Sequence, residues 1–232
     1  MVAKTKHRVP VIAGVGCNAT ERTISFMEKV NDLGVDGMLI VTPYYNKATQ
    51  NGLYEHYRQI AEHTPKPIIL YNIPSRTGCN MLPETVARIA DSCPNVTGIK
   101  EASGNISQVA KLASLVGDRL DIYSGNDDQI VPVMSLGGTG VISVLANLLP
   151  KNIHDITKEM LNGNYITAKN AQLAYEKLIE KLFAEVNPIP VKAALHMMGM
   201  DVGPVRLPLT ELEETHKIEL KRAMSEAGIR SL

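Results

Sequence analysis

The sequence has no surplus of charge of either sign: 24 basic side chains face 24 acidic ones, a formal net charge of zero. That balance argues against a nucleic-acid or anionic-membrane surface as the main partner. No apolar run approaches the ~20 residues of a membrane span. The first residues, Met1 to Arg8, carry charge but no apolar stretch, so they do not read as a secretory signal. Cysteine is scarce. Cys17, Cys79 and Cys93 are odd in number and lack CxxC spacing, which fits a reducing compartment and predicts a cytoplasmic protein. They read as small buried or half-buried side chains. Linkers, low-complexity segments and sequence repeats are also missing.

What is present is a hydrophobic fraction of 44%, ample for a core, in a chain long enough for one large domain or two small ones. Apolar runs recur at Val9–Val15, Gly37–Thr42, Pro67–Ile73, Val96–Ala102, Leu120–Gly125 and Gly140–Ala146. They are apolar throughout, as strands covered on both faces are. Helical patterns separate them. Thr20 reads as an N-cap before a stripe of Ile24, Met27, Val30 and Leu33. Pro83 and Glu84 open another helix, and Ile106, Val109, Ala110 and Ala113 mark a third. This alternation is the βα unit of a parallel sheet. After Ala146 only helices are predicted, at about 151–163, 165–184, 190–199 and 210–227.

Six strands suit an open doubly wound sheet, whereas a (β/α)8 barrel needs eight. The open sheet predicts a phosphate-binding glycine turn after its first strand. Gly14-Val-Gly16 is only a weak version, with no third glycine in place and no acid ending the next strand. Polar groups instead close nearly every strand, as on the C-terminal face of a barrel.

Lys100 ends the Val-Thr-Gly-Ile-Lys run. A lysine at a barrel mouth loses hydration, which favours its neutral amine and attack on a keto group. The plainer reading is a lysine snorkelling to solvent. Tyr71 ends the preceding strand and can shuttle a proton, or can simply be a half-buried phenol. Arg76, in a Pro-Ser-Arg-Thr-Gly turn, offers a planar fork to a carboxylate, or is a loop arginine facing water. Tyr44 and Tyr45 are adjacent, so one of them is expected to face a neighbouring subunit. His56 and His63 share a helix face without a further ligand, and no metal site is expected. Gly137-Gly138-Thr-Gly140 suits either a phosphate cradle or the turn entering the last strand.

Six segments together resemble the dihydrodipicolinate synthase family of pyruvate-dependent class I aldolases. They are Val41-Thr-Pro-Tyr-Tyr-Asn46, Tyr71-Asn-Ile-Pro-Ser-Arg-Thr-Gly78, Gly98-Ile-Lys-Glu-Ala-Ser-Gly104, Ser124-Gly125, Gly140-Val-Ile-Ser143 and Asn187-Pro-Ile-Pro-Val-Lys192. The resemblance runs from Val9 to the C-terminus. It implies a lyase that condenses pyruvate with aspartate semialdehyde for diaminopimelate and lysine synthesis, without a cofactor. Lys100 would form the imine, Tyr71 would relay protons, and Arg76 would hold the second substrate's carboxylate. Gly125 and Ile142 would line the pyruvate pocket, and Tyr45 would complete the relay of a partner subunit. A homotetramer is implied.

The family pattern also has two strands ahead of Val9, with a Gly-Thr-Thr-Gly-Glu turn on the second that binds pyruvate. This sequence has no such turn. The expectation is therefore a (β/α)8 barrel lacking its first two strands over residues 1–164, followed by a helical region over 165–232. A non-catalytic short form that associates with full-length subunits is one alternative. A sialic-acid-lyase-type aldolase is another, disfavoured by Arg76. Some relatives bind lysine as an inhibitor through an asparagine, a glutamate and a tyrosine. Asn18 and Tyr44 match that effector site, but Arg22 stands where the glutamate would be, so no sensitive lysine feedback is expected.

Overall fold

A computed structural model describes residues 1–230. All of the expected strands form: β1 (Ile12–Gly14), β2 (Gly37–Val41), β3 (Ile68–Asn72), β4 (Val96–Glu101), β5 (Asp121–Ser124) and β6 (Gly140–Val141). They make one six-stranded sheet in the order β1-β2-β3-β4-β5-β6. β1 through β5 pair in parallel. An order without reversal has no switch point of the doubly wound kind.

Contacts divide the chain into two compact units. One comprises Met1–Gly125 with Pro132–Gly140, the other Asn126–Val131 with Val141–Leu232. In the first unit the strands alternate more than their apolar composition implies. Ile40, Leu70, Ile99 and Ile122 occupy one rung of the sheet and are buried. Val41, Tyr71, Lys100 and Tyr123 occupy the next rung and are only half-buried. The buried rung packs in a core with Met27, Leu53, Tyr57, Ile60, Ile89 and Leu112 from the intervening helices. Side chains of this size each contribute roughly 1.5–3 kcal/mol when fully buried.

Local chemistry sets the helix starts. Thr49 caps Gln50–Glu62 by accepting from Gly52 N, and Asn105 caps Ile106–Val116 by accepting from Gln108 N. Pro83 stands at the head of Pro83–Ser92. Thr20 is not a cap. It is the first residue of Thr20–Asn31, Ala19 takes the cap position, and the Thr20 hydroxyl lies 2.9 Å from His56 Nδ1. Leu33 falls beyond that helix and is exposed.

His56 is buried, and its Nε2 has no hydrogen-bond partner among the described residues. Burial pushes the imidazole from its ordinary 6.5 down to about 4. The unfolded chain thus takes up a proton that the folded one refuses. The stability this provides is complete above about pH 6.5 and is lost as pH falls toward about 4. Between about pH 7 and pH 4.5 the native protein should lose on the order of 2 kcal/mol from this residue alone. Urea unfolding at both pH values should show that much less pH dependence in His56→Gln. Equal pH dependence in the two proteins would contradict it.

The second unit is helical apart from the end of β6: Pro150–Leu161, Tyr165–Ala174, Glu176–Leu182, Ile189–Met197 and Glu214–Glu226. The predicted long helix over 165–184 is two helices that meet at Tyr175, whose hydroxyl lies 2.6 Å from Asn152 Nδ2. β6 is shorter than its apolar run. Buried Asp127 accepts from Val144 N and Leu145 N, both at 3.0 Å, so the backbone turns there instead of continuing as strand. Gln172 accepts from Val131 N and donates to Asp128 O, both at 2.7 Å. Glu185 accepts from His216 Nδ1 at 2.7 Å and Glu213 N at 2.9 Å, and this carboxylate pulls the imidazole up. No helix among the described residues is long and apolar enough to cross a membrane.

Candidate active site

Tyr71 and Lys100 are register partners near the C-terminal ends of β3 and β4. Both residues are half-buried. Lys100 Nζ lies 4.5 Å from the centroid of the Tyr71 ring, over its face. Burial raises the Tyr71 phenol, and the nearby Arg76 charge partly offsets that rise. The hydroxyl therefore stays protonated at neutral pH and is able to donate.

This juxtaposition depends on a bulge. Ile68 pairs with Val96, but Ile69 pairs with Gly98, leaving Thr97 as an extra residue on β4. Side chains alternate along a strand, so one inserted residue exchanges the faces of everything after it. Unbroken pairing from Val96 would turn Ile99 toward the Tyr71 side and Lys100 toward the helices. The bulge puts Ile99 in the core and Lys100 beside Tyr71.

Gly125 follows β5, and its N–H continues the ladder to Glu101 O at 2.8 Å. A Cβ there would lie 2.5 Å from Ala102 Cβ and 3.1 Å from Lys100 Cε. Glycine is thus the residue that leaves the lysine its space.

Arg76 lies on the short helical turn Pro74–Thr77 and is exposed. Gly78 ends that turn with φ 69. Buried Thr77 anchors it, donating to Ile73 O and Cys79 O and meeting Thr42 Oγ1 at 3.2 Å. Tyr44 and Tyr45 are both exposed. Tyr45 is 90% exposed and sits in the left-handed region at φ 74. Asn18 and Arg22 are also exposed. Ile142 is half-buried and belongs to the second compact unit.

The remaining sequence candidates do not join this cluster. Gly138 N and Thr139 N are taken by Val133 O and Ile122 O, so Gly137–Gly140 is a turn into β6 rather than a phosphate cradle. All three cysteines are free. Burial raises the Cys79 and Cys93 thiols, which keeps them protonated. The polar pair that follows the site residues, Asn72 and Glu101, escaped notice in the sequence. Its signal was there: a polar side chain one position after Tyr71 and after Lys100, in strands that are otherwise apolar.

Comparison with known proteins agrees with the geometry. The Dihydrodipicolinate synthetase family matches residues 1–227. A protein of Caldicellulosiruptor saccharolyticus named 4-hydroxy-tetrahydrodipicolinate synthase is 55% identical over 229 residues, covering 99% of this chain and 77% of its own length. A Clostridium tetani protein of the same name is 51% identical over 224 residues, covering 97% and 76%. The crystal structure of dihydrodipicolinate synthase from Thermotoga maritima superposes with a TM-score of 0.96 at 43% identity, covering 98% of this chain and 78% of that one.

Proposed function

The chain belongs to the dihydrodipicolinate synthetase family, and from that premise we propose that Lys100 forms an imine with pyruvate. The protein is a synthase of the 4-hydroxy-tetrahydrodipicolinate kind, a lyase of diaminopimelate and lysine biosynthesis that uses pyruvate and aspartate semialdehyde. The observation that carries the site assignment is the amine of half-buried Lys100 over the face of Tyr71.

The chemistry follows from the residues. The neutral amine of Lys100 adds to the keto carbon of pyruvate, and water leaves as the imine forms. Tyr71 supplies the proton that the departing hydroxyl requires. The imine withdraws electrons and acidifies the methyl group, the Tyr71 phenolate left by that donation takes the methyl proton, and the resulting enamine attacks the aldehyde of the second substrate, whose oxygen takes the proton back from Tyr71. Arg76, exposed beside Tyr71, offers its guanidinium fork to that substrate's carboxylate. Gly125 leaves room for the pyruvyl group beside Lys100.

We also read the sheet as an arc of the eight-stranded (β/α) barrel. Its support is the uninterrupted sequential strand order. Tyr45 would serve the proton relay of a second subunit in a homotetramer, a role its exposure supports.

Reduction with borohydride in the presence of pyruvate tests the central claim. A pyruvyl adduct on the peptide carrying Lys100 is the expected result. Labelling spread evenly over surface lysines, or none at all at high pyruvate, would reject it.

A further inference from the structure

Behind the strand mouths lies a buried polar network that the imine chemistry does not use. Asn72 and Glu101 are register partners, each one residue past Tyr71 and Lys100, and both are buried. Successive strand residues face opposite sides, so this pair sits on the far face from the amine and the phenol.

Its bonding is closed. Asn72 Nδ2 donates to Glu101 Oε2 at 3.0 Å and to Asn80 Oδ1 at 2.9 Å. Asn72 Oδ1 accepts from Met81 N at 2.9 Å. Glu101 Oε1 accepts from Ser103 N at 2.7 Å. Gln108 completes the ring through Asn80, with bonds of 2.8 and 3.1 Å, and reaches Glu101 Oε2 at 3.5 Å. The network thus joins the end of β3, the end of β4 and residues 80–81, where the segment carrying Arg76 returns.

A carboxylate buried for stability alone is a poor choice, because a well-packed apolar group commonly does as well or better. A satisfied polar network does something an apolar patch does not: it admits one register. We propose that Asn72 and Glu101 are positioning residues that lock the mouths of β3 and β4, so that Tyr71 and Lys100 stay face to face and the Arg76 segment stays anchored. Neither touches substrate. The proposal rests on Lys100 being the imine-forming residue.

The test exploits polarity. Glu101→Gln and Asn72→Asp each break the match of donor to acceptor, by loss of the negative acceptor or by setting two carboxylates together. The double variant restores one donor and one acceptor with the direction reversed, residue 72 still accepts from Met81 N, and the paired amides of Asn80 and Gln108 turn over together so that Asn80 donates to the new carboxylate. Three readouts are needed: circular dichroism for folding, the rate of pyruvate trapping by borohydride, and the rate of Lys100 acetylation by trace acetic anhydride. The last requires no pyruvate. Each single variant should fold, trap pyruvate about 100-fold more slowly, as misplacement of a reacting group by an ångström does, and show an altered acetylation rate. The double variant should recover most of both rates.

Folded single variants that trap and acetylate like the parent overturn the proposal, and so does a folded double variant that recovers neither rate. If Asn72→Asp fails to fold, Glu101→Asp carries the same test, since it keeps the charge but withdraws the acceptor by one methylene. A parent protein that traps no pyruvate defeats the imine assignment instead, and the acetylation rates still decide the positioning role.

Discussion

Lys100→Arg should abolish both the pyruvate adduct and turnover while leaving the fold intact. The substitution keeps a positive charge at the same strand end, so it separates nucleophile from electrostatic anchor. Guanidinium is protonated throughout the accessible pH range and has no lone pair to offer a keto carbon. An anchor would tolerate the exchange. A nucleophile would not, and the loss should be about 10⁴-fold or more, on the scale seen when other enzymes lose theirs. Steady-state turnover, borohydride trapping and a far-ultraviolet spectrum together decide it. Lys100→Ala should likewise form no adduct, because it removes the nucleophile altogether. Adduct formation in either variant would move the nucleophile elsewhere.

The second large effect is expected at a residue with no functional group. Gly125→Ala adds a methyl that would sit 2.5 Å from Ala102 Cβ and 3.2 Å from its Cα. Something must move, and the lysine stem, 3.1 Å away, is the flexible neighbour. Overpacking of this kind typically costs about 1–3 kcal/mol. The effect on rate should be larger, because a displaced Nζ no longer meets the keto carbon in line, a loss of about 100-fold. Adding Ala102→Gly removes the closest collision but not the contact with Lys100. The double variant should therefore recover thermal stability while trapping pyruvate more slowly than the parent. Parental trapping rates in Gly125→Ala would show that the lysine is not crowded from this side.

Much of this was legible from residue order. Apolar runs separated by amphipathic stripes located every strand, because parallel strands under helices leave little room for polar side chains. Pro83 marked a helix start by chemistry that acts within one turn. Two features misled. Thr20 looks like a cap, yet its hydroxyl meets His56, a residue 36 positions away. The run ending at Ala146 looks like a full strand, yet Asp127 captures the amides of Val144 and Leu145. In both, a partner distant in sequence outweighed a local preference.

Residue order by itself determined that Lys100, Tyr71 and Arg76 stand at or just beyond strand ends, since hydropathy and turn residues mark where strands stop. It did not determine that the amine and the phenol share a face. With a period of two, a strand's faces are assigned only by its pairing, and here the pairing slips by one residue at Thr97. That slip sends Ile99 into the core and Lys100 to the half-buried side, a choice made by burial across neighbouring strands and invisible within any one of them.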